Sequence, residues 1–271
     1  VRRYIAGVVS DESLFSSVID GTLPAAVPDD RKYVYPFVGI EILENRFETT
    51  TNRDQIDKTE DLLTGTRFYA TLGWSDESFD GQDALLYQIS AGRWYGSLDK
   101  AALALALDAS GRVEDGESVN ALLSASMRYS KRFSPKNTFF AALSGTFGEN
   151  LDLDSPVELG GDTGLRGYPL RYQTGDSKIL LSVEQRYFWD WYPFRLFRVG
   201  GAIFGDVGRT WGDHPTGGSE LGWLRDIGVG LRFAPTRGGS GKIVHLDIAF
   251  PLDGDPTIDD VQIVLESKRS F

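Results

Sequence analysis

Apolar and polar residues alternate with period two along most of the chain, the pattern of β-strands with two differently solvated faces. The alternation predicts twelve strands and an all-β fold. In 32–48, Val34, Pro36, Val38, Ile40 and Ile42 share one face, with Gly39, Glu41 and Asn45 on the other. In 64–75, Phe68, Ala70, Leu72 and Trp74 oppose Arg67, Tyr69, Thr71 and Gly73. In 177–189, Ile179, Leu181, Val183, Tyr187 and Trp189 oppose Lys178, Ser182, Glu184 and Arg186. Runs at about 2–10, 84–97, 101–108, 117–132, 136–148, 194–209, 222–234, 241–251 and 261–271 complete the set. The polar stretch 49–61 reads either as an unusually long turn or as strands continued past their neighbours. No segment of useful length has helical periodicity.

The connections sort by length. Short turns are expected at 98–100, 133–135, 190–193 and 235–240, and longer polar loops at 11–31, 76–82, 149–176, 210–221 and 252–260. Short turns on one rim and long loops on the other is the asymmetry of an outer-membrane barrel. A soluble β-sandwich or barrel also alternates, but two features weigh against it. The polar face carries Glu41, Arg67, Asp108, Arg128, Glu184, Asp206, Arg232, Asp247 and Glu266, too many charges for a dry core. Aromatics gather near strand ends, at Trp74, Tyr95, Tyr129, Tyr187, Trp189, Trp191, Trp211 and Trp223, as in the girdles at membrane interfaces. The fold expected from these signs is a transmembrane antiparallel up-and-down barrel. It places the chain in the bacterial outer membrane with the lipid bilayer as a partner.

Composition narrows the function more than the fold. A net charge of −11 argues against nucleic acid as a partner. With no cysteine, neither a disulfide framework nor a thiolate metal site is available. The two histidines, His214 and His245, lie on separate segments, and no G-x-S-x-G elbow occurs. The run 236–243 fails as a phosphate loop, because Thr236 and Ile243 stand where a glycine and a hydroxyl residue belong. The carboxylates Asp253, Asp255, Asp259 and Asp260 offer a cation site, though such runs are more often solvated loops. No enzyme activity, cofactor or metal is expected. No run of about 18 apolar residues exists to form a transmembrane helix. Val1-Arg2-Arg3-Tyr4 reads as the middle of a strand, so the chain is expected to be processed or cut from a longer one, with 1–271 a single barrel domain and no periplasmic domain.

The segment 160–169 holds four glycines and Arg166 inside the longest predicted loop. Downstream, Phe204 and Asp206 share the polar face of their strand, opposite Ile203 and Val207. By residue type alone, Arg166 is a solvated loop arginine and Asp206 a rim carboxylate. Three stretches taken together change that reading. Leu165-Arg166-Gly167-Tyr168 is similar to a V/I-R-G-F/Y loop signature. Phe204-Gly205-Asp206-Val207-Gly208-Arg209-Thr210-Trp211 matches an F-x-D-x-G-x-x-W strand. Gly228-Val229-Gly230-Leu231-Arg232-Phe233, then Leu246-Asp247-Ile248-Ala249-Phe250-Pro251-Leu252 and a terminal Phe271, complete the order. From about 158 to 271 the chain resembles the BamA/TamA-type outer-membrane insertase and translocase superfamily (the bacterial surface antigen barrel) and its two-partner-secretion relatives.

The resemblance implies that the loop 149–176 folds into the barrel lumen. There Arg166, flanked by Gly167 and Tyr168, meets Asp206, beside Phe204 and Gly208, with Glu184 as a second acceptor. Gly164 and Gly167 are expected to let the backbone turn beside the arginine. It further implies that the assembly machinery reads Phe271 in the C-terminal strand, and that client outer-membrane or secreted proteins are partners. Twelve strands would be the C-terminal part of a usually sixteen-stranded barrel, an even number within the range of such barrels. The expected function is non-enzymatic assistance to protein insertion or translocation. Alternatives are a translocation pore for a self-exported passenger of the patatin-like lipase type, and a passive diffusion channel.

Overall fold

The computed structural model describes residues 1–16, 27–212, 221–237, 242–256 and 258–268. Among them there is no α-helix, and about 67% of the described residues are strand. Twelve strands form one antiparallel sheet: β1 (Arg2–Ser13), β2 (Arg31–Leu43), β5 (Arg67–Ser75), β6 (Ala84–Gly96), β7 (Ala101–Glu114), β8 (Glu117–Ser134), β9 (Asn137–Glu149), β12 (Ser177–Phe188), β13 (Phe197–Trp211), β14 (Leu224–Pro235), β15 (Ile243–Pro251) and β16 (Gln262–Lys268). Each strand pairs with its sequence neighbours in this set. No pairing joins β1 to β16 among the described residues, so the sheet has two edges.

Two inserts interrupt the meander. Between β2 and β5, β3 (Phe47–Thr51) and β4 (Thr59–Leu63) form a separate hairpin. The second reading of 49–61 is the nearer one: β3 and β4 continue the pairing of β2 with β5 in the same register across 44–46 and 64–66, although as a separate small sheet. Between β9 and β12, the loop 150–176 carries its own pair, β10 (Val157–Leu159) and β11 (Gln173–Gly175). The tight turns also depart from a strict division of rims. The hairpin lies on the rim of the short connections, and the two-residue turn at Asp115-Gly116 lies on the rim of the long ones.

The two faces of the sheet reverse the usual burial rule. One face exposes apolar side chains: Ile203 is 67% exposed, Ile263 71% and Leu265 70%, and Val229, Ile248, Leu107 and Leu123 behave alike. The other face buries charge: Glu184, Asp206, Arg232 and Asp247 are all at most 3% exposed, as is the acidic side chain of Asp226. Buried ionised groups persist only when paired and hydrogen-bonded, and the two inserts supply part of that pairing. Glycines on the buried face make room for it. A Cβ at Gly228 would stand 2.7 Å from Cε2 of Phe204, and one at Gly230 would stand 2.5 Å from the Arg232 guanidinium. The Gly-Val-Gly spacing therefore alternates a gap for a bulky inward neighbour with an outward apolar residue.

Candidate functional site

The site forms where the loop 150–176 meets β12–β15. The loop turns sharply before its arginine: Gly160, Gly161 and Gly164 have φ of 138°, 54° and 105°, and Leu165 has φ of 59°. Left-handed backbone is easy for glycine and strained for leucine. Leu165 is nonetheless fully buried, with Leu159, Tyr168 and Leu224, and Tyr172, Leu180 and Ile258 pack against that cluster. Apolar burial thus fixes the turn that aims Arg166 at the wall. Gly164 fills the expected turning position. Gly167 has an ordinary φ and is required for space: a Cβ there would lie 2.5 Å from Cβ of Asp226.

Arg166 is 8% exposed and makes the predicted pair. Its Nε donates to Asp206 Oδ2 at 2.8 Å and its NH2 donates to Asp206 Oδ1 at 3.1 Å, a bidentate fork. NH1 donates to Glu184 Oε2 at 2.9 Å and to Asp247 Oδ2 at 3.4 Å. The guanidinium carbon sits 3.4 Å above the ring of Phe204, within cation–π range. Gly208 faces the loop stem, where a Cβ would meet Leu159 at 2.9 Å. The Tyr168 hydroxyl shares its one proton between the carbonyls of Arg225 and Asp253, at 2.8 and 3.0 Å, and the ring stacks on Tyr172. Burial raises the pKa of its phenol. Arg166, Gly167, Tyr168, Glu184, Phe204, Asp206 and Gly208 therefore form one constellation. Phe271 and His214 lie outside the described residues.

Other participants were not singled out as partners from sequence. Asp226, the cross-strand neighbour of Asp206, accepts from the Gly167 amide at 3.0 Å. Arg232 donates to Glu184 Oε2 at 3.1 Å and to Asp247, and Arg186 donates to Glu184 Oε1 at 2.6 Å. Gln173 holds the loop stem, accepting from the Thr210 amide at 2.8 Å and donating to the Gly222 carbonyl at 2.8 Å. A second ionic anchor secures the start of the loop. Arg112 of β7 forms a fork with Asp152, both bonds at 2.7 Å, and Arg31 of β2 grips Asp154 at 3.0 and 2.8 Å. The Arg31 hydrogen bond holds the Asp154 carboxyl below the ordinary value. No local spacing in the sequence tied Asp226 or Arg112 to the loop.

The arrangement is suited to holding a segment in place, since Arg166, Arg186 and Arg232 are paired with Glu184, Asp206 and Asp247. Asp253 of the acidic run is paired with Arg225 at 2.7 Å. No group of three or more metal-ligating side chains stands together among the described residues. No protein-family model matches the chain, and no protein of curated function matches it.

Proposed function

We propose that the chain is an outer-membrane β-barrel domain of the BamA/TamA type that assists insertion or translocation of other proteins, without covalent catalysis. The observation that carries this reading is the inverted wall, apolar outside and charged inside, with a loop arginine held at its centre by Asp206. An apolar outer face of this extent has no favourable partner in water and a natural one in the hydrocarbon of a bilayer. Its ends carry aromatic belts. Trp74, Trp211 and Trp223 lie on the rim of the long loops, and Tyr95, Tyr187, Trp189 and Trp191 on the opposite rim. The lumen-side constellation matches the pattern by which the sequence resembles that superfamily.

In this reading the loop 150–176 braces the wall from within, fastened to β12, β13 and β15 through Arg166. Unpaired backbone groups at the edges β1 and β16 would offer hydrogen bonds to an incoming client strand. The work is exchange of strand-edge hydrogen bonds. The test is reconstitution into lipid vesicles, followed by the rate at which an unfolded outer-membrane protein folds into them. The expected result is acceleration over empty vesicles and its loss in Arg166→Ala. Equal rates with and without the chain would overturn the proposal, and steady ion conductance with no effect on the client would favour a passive channel.

A further inference from the structure

The hairpin β3–β4 leaves the sheet between β2 and β5, yet contacts of its tip reach across the inner face to the far strands. Ile56 at its tip is 2% exposed and packs with Phe188, Ala234 and Ile243. Asp57 accepts from Arg198 at 2.7 Å, and Asn52 donates to the Pro135 carbonyl at 3.0 Å. Arg53 is buried, donates to Ser130 at 3.0 Å and lies 4.3 Å over the ring of Trp94. The hairpin therefore closes over the inner face at one rim, as the loop 150–176 does from the other.

The two inserts meet through two side chains of β12. Arg186 donates through NH1 to the carbonyl oxygen of Arg53 at 3.2 Å, and through Nε to Glu184 Oε1 at 2.6 Å. The other oxygen of Glu184 accepts from Arg166 at 2.9 Å. The guanidinium of Arg186 is held 4.0 Å from the ring of Phe140. Glu184 and Arg186 are 1% and 4% exposed, so water does not screen the chain of contacts.

We infer that the hairpin 47–63 and the loop 157–175 are the two ends of one latch, coupled through Glu184 and Arg186. Releasing either insert loosens the other, so a partner that engages one rim alters the opposite one. The coupling is reciprocal by thermodynamic linkage. The inference stands on contacts alone and does not require the sheet to lie in a membrane, so it can fail while the functional proposal holds, and the reverse.

Hydrogen exchange on the folded full chain, resolved by peptide, tests it. Replacing 48–62 with a Gly-Ser-Gly turn is expected to speed exchange in 157–175 at least about tenfold, equivalent to about 1.4 kcal/mol. Arg166→Ala is expected to speed exchange in 47–63. Arg186→Lys keeps the charge, but its single amine does not span Glu184 and the Arg53 carbonyl. On that background Arg166→Ala should leave 47–63 unchanged. If the shortened chain does not fold, the Arg166 and Arg186 substitutions decide alone. Unchanged exchange in 47–63 upon Arg166→Ala, or transmission that survives Arg186→Lys, would overturn the latch.

Discussion

The loop 150–176 is anchored twice, and the two anchors have opposite polarity. At its start, wall arginines hold loop carboxylates: Arg112 and Arg31 on Asp152 and Asp154. At its centre, wall carboxylates hold a loop arginine. The exposures differ in part. Arg112 and Asp152 are about as buried as Arg166, but the side chain of Asp154 is 31% exposed, whereas those of Glu184 and Asp206 are at most 1%. An ion pair open to water contributes little, because solvent and salt already screen it. A buried one adds modest net stability while intact, and its rupture strands a desolvated charge. The Arg31–Asp154 end of the first anchor is thus a tether, while the centre of the loop is locked. Beside the first anchor the inner face also leaves a cavity of about 360 Å³, lined in part by Tyr35, Phe37 and Tyr69, while at β12–β15 the inserted side chains occupy the inner face.

Arg166→Ala should break the contrast most. It leaves Asp206, Glu184 and Asp247 short of a cation, with an expected loss of about 3–5 kcal/mol, measured by denaturant unfolding. Gly167→Ala comes next, because its new methyl group meets Asp226; overpacking of this kind costs about 1–3 kcal/mol and should weaken the grip of Arg166 without removing a charge. Tyr168→Phe removes the hydroxyl that donates to Arg225 and Asp253, an expected loss of about 0.5–1.5 kcal/mol in the same assay. Acid should separate the anchors with the smallest effect. Because the folded-state pKa of Asp154 is depressed, its contribution is complete above the ordinary carboxylate value and fades as pH falls through the depressed one. Exchange in 150–156 should therefore rise at acid pH before exchange in 164–170 does.

The strands and the direction each side chain faces were legible because period two is a local property: Ile203 out and Asp206 in follow from counting. The pairing of Arg166 with Asp206 was not local. Forty positions separate them, and only the resemblance connected them. Residue type alone favoured a solvated arginine. Asp247, Arg186 and Arg232 were readable as inward-facing but not as members of one cluster, because register between strands decides which inward residues become neighbours. The course of the hairpin β3–β4 over the inner face was not legible for a related reason. Its composition is polar, as in a surface turn, and its burial depends on strands more than 70 positions away, such as the one carrying Ser130.

The central claim is that the exposed apolar face meets lipid. The natural absence of cysteine allows single nitroxide labels at Ile203, Val229 and Ile263, with Gln88 as an inward control. In lipid vesicles the outward labels should collide with dissolved oxygen and be shielded from a water-soluble nickel chelate, while the label at Gln88 should show the reverse. Ready access of the chelate to all three outward positions would contradict the account.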